Sequence, residues 1–364
     1  MKRLCLIYQP AVVEHSFGAG HPLLQERLPR YLAKLREDGL IDHAGIEVVD
    51  PPDAVGEDEI LAVHDRSLLE RIKELSARGG LLDGDTPVPV GTYERARLQA
   101  GGLLYGAKSI MEGQYDRAVQ MLAFGGHHAM RRHQHITFGF CYFNQEAIVI
   151  KALQSQGYLQ RALIMDCDCH HGNGIQDIFY ADPSVLYISL HQDPRTLYPG
   201  WMGHADEVGE GAGRGYNVNV PLPPGTQTQS YMRVLEQIFP PLAREFAPQL
   251  ILAIINGDTH FADPLTDMGI DLSCYSRIAR LISEVSEEVC GGRLVVELGG
   301  GYDLGVAVNG SCKVTAELVG YEGYEVDDPY GIPGPEPAHI TQRVEKLLEE
   351  RKATLSRYWK VFRA

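Results

Sequence analysis

The 364-residue chain carries 33 basic against 48 acidic residues, a net charge of −15, with 44% hydrophobic and 22% charged residues. These proportions describe a globular protein with ample core, and the acidity argues against nucleic acid or an anionic membrane surface as partner. Such a charge either favours cationic substrates, such as polyamines and lysine-rich tails, or serves solubility alone. Seven cysteines, odd in number and irregular in spacing, argue against a secreted disulfide framework. The N-terminal apolar run LCLI is too short for a signal peptide, and no segment approaches the roughly 20 apolar residues that cross a bilayer. A cytoplasmic location is therefore expected.

In chain order, short apolar runs at Arg3–Tyr8, Ala118–Phe124, Ala162–Met165, Val185–Leu190, Leu250–Ile255 and Arg293–Glu297 predict strands. They lack polar alternation, as expected of a parallel sheet covered on both faces. Between them, Tyr93–Glu112, Asn144–Gln156, Ser230–Glu245 and Cys274–Val289 predict helices. The alternation implies right-handed crossovers and a three-layer α/β/α fold with a central, mostly parallel sheet. Length alone suggests two domains. Yet the best linker, Asp327–Pro337, leads only to a charged helix at about Ile340–Val361, so one catalytic domain over 1–364 with a helical extension at about 338–364 is expected.

Polar clusters follow four of the strand runs: Gly125–His128, Asp166–Asn173, Gly257–His260 and Gly299–Tyr302. In open α/β sheets ligands bind beyond the carboxyl ends of strands, so four such clusters are expected to share one crevice. Within DCDCHHGNG, Asp166, Asp168 and His170 share a face if the chain stays extended, with Cys167 and Cys169 on the other. Two carboxylates and an imidazole suit a divalent metal, Asp258 is the candidate from elsewhere, and three protein ligands leave a position open as in catalytic zinc sites. The rival, a thiolate site on Cys167 and Cys169, needs a second cysteine pair. His127 and His128 read either as one buried and one surface histidine or as a catalytic pair in which one imidazole moves a proton, with Asp166 and Asn173 as orienters. Tyr302, after three glycines, is a packing residue or, opposite a metal, a donor to a developing oxyanion, worth roughly 3–4 kcal/mol when well placed.

At this point the chain resembles the histone deacetylase superfamily, which includes acetylpolyamine amidohydrolases, within the arginase–deacetylase fold. The resemblance is carried by HPLLQER from His21, LDGDTPV from Leu82, GGHHA from Gly125, GFCYFN from Gly139, DCDCHHGNG from Asp166, SLHQDPRTLYPG from Ser189, GYNVNVPLPPG from Gly215, NGDTHFADPL from Asn256 and GGGYD from Gly299. It implies a metal-dependent deacetylase acting on acetylated lysine peptides or acetylated amines. The ligands would be Asp168, His170 and Asp258, holding Zn2+, with Fe2+ or Co2+ as alternatives. His128 would be the general base and acid, and His127 with Asp166 its electrostatic partner. Tyr302 would hold the oxyanion. Phe140 and Tyr198 would wall the substrate tunnel, Gly139 would accept the scissile N–H, and Asp85 would anchor the substrate at the rim. Structural K+ or Na+ would sit at Asp166, Asp168, His170, Ser189 and Leu190, and at Phe179, Asp182, Val185 and Tyr216.

Three departures matter. Asn173 stands where many class I members have aspartate, as in the class II and bacterial branches, and it would orient His128 without a charge. NGDTH replaces the usual GFDAH, which puts the packing around Asp258 in question. Leu265 occupies the position where some polyamine-selective members carry a glutamate, which weighs against that route to polyamine selectivity. The Arg131–His135 segment reads as a substrate-reading rim or as a solvated loop. The remaining alternatives are a small acetylated-metabolite deacetylase and, remotely, a non-catalytic acetyl-ligand binder. A homo-oligomer stays open.

Overall fold

The computed structural model describes residues 2–42, 45–132 and 138–363. Residues 133–135 of the basic segment lie outside these. Among the described residues, ten strands are present: β1 Leu4–Ile7, β2 Ile46–Val49, β3 Gly80–Leu81, β4 Pro87–Val88, β5 Arg117–Met121, β6 Ala162–Asp166, β7 Val185–Gln192, β8 Asn217–Leu222, β9 Leu250–Ile254 and β10 Leu294–Leu298. Eight form one sheet in the order β2-β1-β5-β10-β9-β6-β7-β8. Every pairing in it is parallel. β3 and β4 make a separate antiparallel ribbon.

The six predicted strands are all present, each shifted by a few residues at most. β2 and β8 were not expected. β2 is an edge strand with only partial burial, and in β8 Asn217 and Asn219 alternate with valine and are buried by hydrogen bonds to Gln176 Oε1 at 3.0 and 2.8 Å. A polar residue satisfied inside the protein imitates a half-exposed strand, so the continuous apolar pattern that marks a buried strand is broken.

The predicted helices appear as Thr92–Met111, Gln145–Ser155, Thr228–Phe246 and Leu272–Cys290. Asn144 caps the second, its side chain accepting the N–H of Ala147, and Asp271 caps the fourth by accepting that of Ser273. Helices at Arg27–Glu37, Arg66–Arg78, Asn173–Phe179 and Leu304–Val319 complete much of the covering layers. The Asp327–Pro337 segment is tied down instead of hanging free. Asp328 accepts from His260 Nε2 at 2.9 Å and from the N–H of Leu272 at 3.1 Å, while Glu336 accepts the N–H of Gln227 at 2.6 Å. The C-terminal helix runs Ala338–Leu355 and is followed by a 3-10 turn at Lys360–Phe362. Among the described residues no helix is long and apolar enough to cross a membrane.

One topological fact positions the chemistry. The four strands followed by polar clusters, β5, β10, β9 and β6, are consecutive neighbours at the centre of the sheet. Parallel strands present their carboxyl ends on one edge, and neighbours lie about 4.8 Å apart, so four sequence-distant segments are delivered to one place.

Candidate metal and catalytic centre

β6 ends at Asp166, and Asp168 and His170 follow it in the buried segment beyond the strand. Asp168 and His170 come together with Asp258, which sits in a 3-10 turn just beyond β9. One ligand atom from each lies within 4.8 Å of the others, and all three residues are buried. His170 Nδ1 is 2.9 Å from Asp258 Oδ2 and 3.2 Å from Asp168 Oδ1.

The electrostatics of this cluster call for a cation. Burial lowers the basicity of His170, yet the two carboxylates more than compensate and push its pKa up to about 10. Burial, then the charge of Asp168, pushes Asp258 up to about 8. For Asp168 burial works upward, but His127 and His170 hold it well below the usual carboxylate range. Two buried carboxylates around one imidazole are a poor arrangement without positive charge, and the same oxygen and nitrogen donors suit zinc-type ions. The donor set therefore fits a divalent metal. Cys167 and Cys169 do not compete: burial raises the Cys167 thiol to about 12 and Cys169 well above its ordinary value, and all seven cysteines are free and buried.

Beside the cluster stand the two histidines that follow β5, their ring centroids 3.9 Å apart. His128 Nδ1 lies 2.7 Å from Asn173 Oδ1, which as a pure acceptor fixes the proton on Nδ1 and leaves Nε2 free. Burial, then the charges of His127 and His170, holds His128 well below its ordinary pKa, so it stands as a neutral base. His127 differs. Burial lowers it, but Asp168 and Asp166 raise it to about 9, with Nδ1 3.3 Å from Asp166 Oδ2. That oxygen also accepts from the Tyr187 hydroxyl at 2.8 Å. Gly172 is required at this crossing: a Cβ there would lie 2.4 Å from the Tyr187 hydroxyl and 2.7 Å from Asp166 Oδ2.

The outer wall comes from strained backbone. Gly139 and Phe140 both adopt left-handed conformations, with φ of 52° and 64°. A Cβ on Gly139 would lie 2.4 Å from His128 Cδ2, so glycine lets the chain pass flat against the imidazole. The positive φ of Phe140 is costly for a side-chain-bearing residue, and it turns the ring to within 6.1 Å of Tyr302. Tyr198 stands edge-on to His128, with centroids 4.7 Å apart. Tyr302 is edge-on to His170 at 6.2 Å, and its N–H donates to Asp263 Oδ2 at 2.8 Å. Asp85 lies between β3 and β4. The neighbouring Thr86 hydroxyl accepts the N–H of Phe140 at 3.2 Å, and burial, then Asp83, lifts Asp85 to about 6. Leu265 is 40% exposed on the loop beyond Asp258.

Both expected sets of alkali-cation residues are gathered. Asp166 pairs with Ser189 across β6 and β7, next to Leu190. Phe179, Asp182 and Val185 are joined by main-chain bonds before β7, where Tyr216 O accepts the N–H of Tyr187. The Asp182 carboxylate is taken by Lys151 at 2.5 Å, so only its main chain remains for a cation.

Several site residues escaped the sequence reading. Asn256, the first residue of the unusual NGDTH, donates to Asp168 Oδ2 at 2.5 Å and accepts the N–H of Gly299 at 2.5 Å. It latches a ligand of one strand end to the glycine turn of another, which answers the packing question that this loop raised. Glu146 and Glu297 line the same cavity, a space of about 30 Å³ bordered also by His127, His128, Asp168, His170 and Tyr302. They are 1% and 0% exposed, and the two carboxyls lie close enough to bond to one another. Burial lifts both pKa values, and the Glu146 charge lifts Glu297 further. The folded protein thus holds protons here more tightly than the unfolded chain does, so this pair loses stability as pH rises above the ordinary glutamate range. Glu297→Gln is expected to melt at a higher temperature than the parent near pH 8, with the gain shrinking towards about pH 5. Melting curves at the two pH values check this, and a pH-independent difference would contradict it.

The sequence model described as the histone deacetylase domain matches residues 21–318. A probable deacetylase of Archaeoglobus fulgidus is 37% identical over 98% of this chain and 99% of its own length. A histone deacetylase-like amidohydrolase of Pseudomonas aeruginosa is 36% identical over 87% of this chain and 81% of its own. Among solved structures, the HDA15 HD domain superimposes with a TM-score of 0.84 at 28% identity, covering 99% of this chain and 98% of that one.

Proposed function

The chain belongs to the histone deacetylase family and is a deacetylase hydrolase of the arginase–deacetylase fold, and from that premise we propose that it removes acetyl groups from lysine side chains with the help of one zinc ion. Asp168, His170 and Asp258 would hold the ion, and Fe2+ or Co2+ suits the same oxygen-rich set. When bound, the ion supplies Lewis acidity, polarising the acetyl carbonyl and easing deprotonation of water.

His128 accepts the proton of the attacking water at Nε2 while its Nδ1–H stays on Asn173. The hydroxyl of Tyr302 donates to the oxyanion as the carbonyl carbon becomes tetrahedral. His128 then returns the proton to the departing amine, so a single group acts as base and acid in turn. His127, paired with Asp166, keeps positive charge beside the reacting carbon. Phe140 and Tyr198 grip the stem of the acylated amine, the Gly139 carbonyl accepts the scissile N–H, and Asp85 anchors the substrate at the rim. K+ or Na+ at the two gathered residue sets would stiffen the loops around β6 and β7.

The observation that carries this reading is the placement of a neutral, Asn-oriented imidazole next to a buried Asp–His–Asp cluster. A second reading, deacetylation of acetylated polyamines, draws support from the acidic pair Asp83 and Asp85 near the tunnel wall. Leu265 contributes no charge to that end. Acetate release by the zinc-loaded protein, compared between an acetyl-lysine peptide and acetylated spermidine and putrescine, separates the two. The peptide is expected to be turned over faster. A preference for the polyamines selects the second reading, and no release from any of them with metal bound would overturn both.

A further inference from the structure

At the opposite edge of the sheet, three arginines from separate segments surround a pocket of about 450 Å³. Arg161 immediately precedes β6, Arg214 lies in the turn before β8, and Arg357 follows the C-terminal helix. These are the amino ends of parallel strands, and the length of β6 alone puts roughly 16 Å between Arg161 and Asp166. The pocket is therefore separate from the catalytic cavity.

Arginines elsewhere on this acidic surface find carboxylates: Arg244 holds Glu288 with two bonds of 2.7 and 2.8 Å, and Arg280 holds Glu317 at 3.1 and 2.6 Å. Among the described residues, no carboxylate is ion-paired with Arg161, Arg214 or Arg357. The one acid in the lining, Glu245, is committed, its two oxygens accepting the main-chain N–H groups of Lys360 and Val361 at 2.9 and 2.8 Å. The guanidiniums touch aromatic groups instead. Arg161 lies over the ring of Phe246 at 5.7 Å, and Arg214 Nε donates to the Tyr358 hydroxyl at 3.2 Å.

Three exposed guanidiniums against the single charge of Glu245 leave the lining net positive, which favours an anion. Guanidinium forks match phosphate oxygens in pairs, and the volume falls within the range of small-ligand pockets, about 300–1,000 Å³. We propose that this pocket binds a diphosphate-bearing ligand, which clasps the C-terminal segment carrying Arg357 to the starts of β6 and β8.

Calorimetric titration of the full chain with pyrophosphate, ADP, adenosine and sulfate at near-physiological salt tests the proposal. Pyrophosphate and ADP are expected to bind once per chain, and Arg214→Ala and Arg357→Ala each to weaken them by about ten-fold or more, with acetate release unchanged. ADP binding tighter than pyrophosphate assigns a nucleotide, and equal affinity assigns the diphosphate alone; either supports the site. Binding no stronger than that of sulfate would overturn it. So would unaltered binding in the Arg214→Ala/Arg357→Ala double variant, once its melting curve shows that it is folded.

Discussion

Tyr302→Phe is expected to lower kcat by about 10²–10³-fold, the usual cost of removing one oxyanion donor, while KM changes little. The substitution deletes one oxygen and keeps the ring that packs edge-on to His170 and near Phe140. It also keeps the main-chain bond to Asp263, so the glycine turn should stay in place. Burial, followed by the charges of Asp258 and Asp168, holds the phenol well above its ordinary pKa. The hydroxyl is therefore a protonated donor at any assay pH, and the loss should not depend on pH in this range. An interaction made only in the transition state lowers kcat and kcat/KM together. Steady-state kinetics with the acetyl-lysine peptide, alongside metal analysis to show the same zinc content, provide the check. A variant as fast as the parent would remove Tyr302 from the chemistry and return it to packing.

Most of what decides function lies in residues that a linear reading can see, because the strand ends bring their own chemistry with them. GGHHA, DCDCHHGNG, the Asp258 turn and GGGYD each follow an apolar run, and the sheet order makes those four runs neighbours. What stayed hidden shares a different property: its meaning depends on a partner distant in sequence. Asn256 acts through Asp168, 88 residues away. Tyr187 looks like one more apolar strand residue until its hydroxyl is seen on Asp166. Glu146 and Glu297 sit in a helix and a central strand, where periodicity alone gives a carboxylate no reason to be. Asp327–Pro337 reads as a linker by composition, and only the bonds to His260 and Gln227 show it fastened across the loop beyond β9 and the start of the next helix layer. The resemblance supplied roles for single residues; the geometry supplied the couplings between them.

Those couplings make the response of Asp258 to substitution distinctive. Asp258→Asn is expected to reduce deacetylation to background and to lose zinc binding, yet to leave the metal-free protein at least as stable as the parent. The reason is that Asp258 in the metal-free fold is a buried carboxyl pushed up to about 8 by burial and by Asp168. Its ordinary value is near 4, so folding near neutral pH must either charge it in a poor medium or hold a proton that water would take. An amide of the same shape escapes that cost and still offers an oxygen to the main-chain N–H of Cys169, which now donates to Asp258 Oδ1 at 3.1 Å. Zinc reverses the ranking. A ligand bound only by the folded parent stabilises it by about 2.7 kcal/mol at 100 times its Kd, and the variant should gain little of this. Melting temperatures of both proteins, each with chelator and with added zinc, decide the matter independently of turnover. If the variant rises with zinc as far as the parent does, the metal is held elsewhere and the Asp168–His170–Asp258 assignment fails. If it is markedly less stable even under chelator, Asp258 is a structural carboxylate first, and the loss of activity says nothing about a metal.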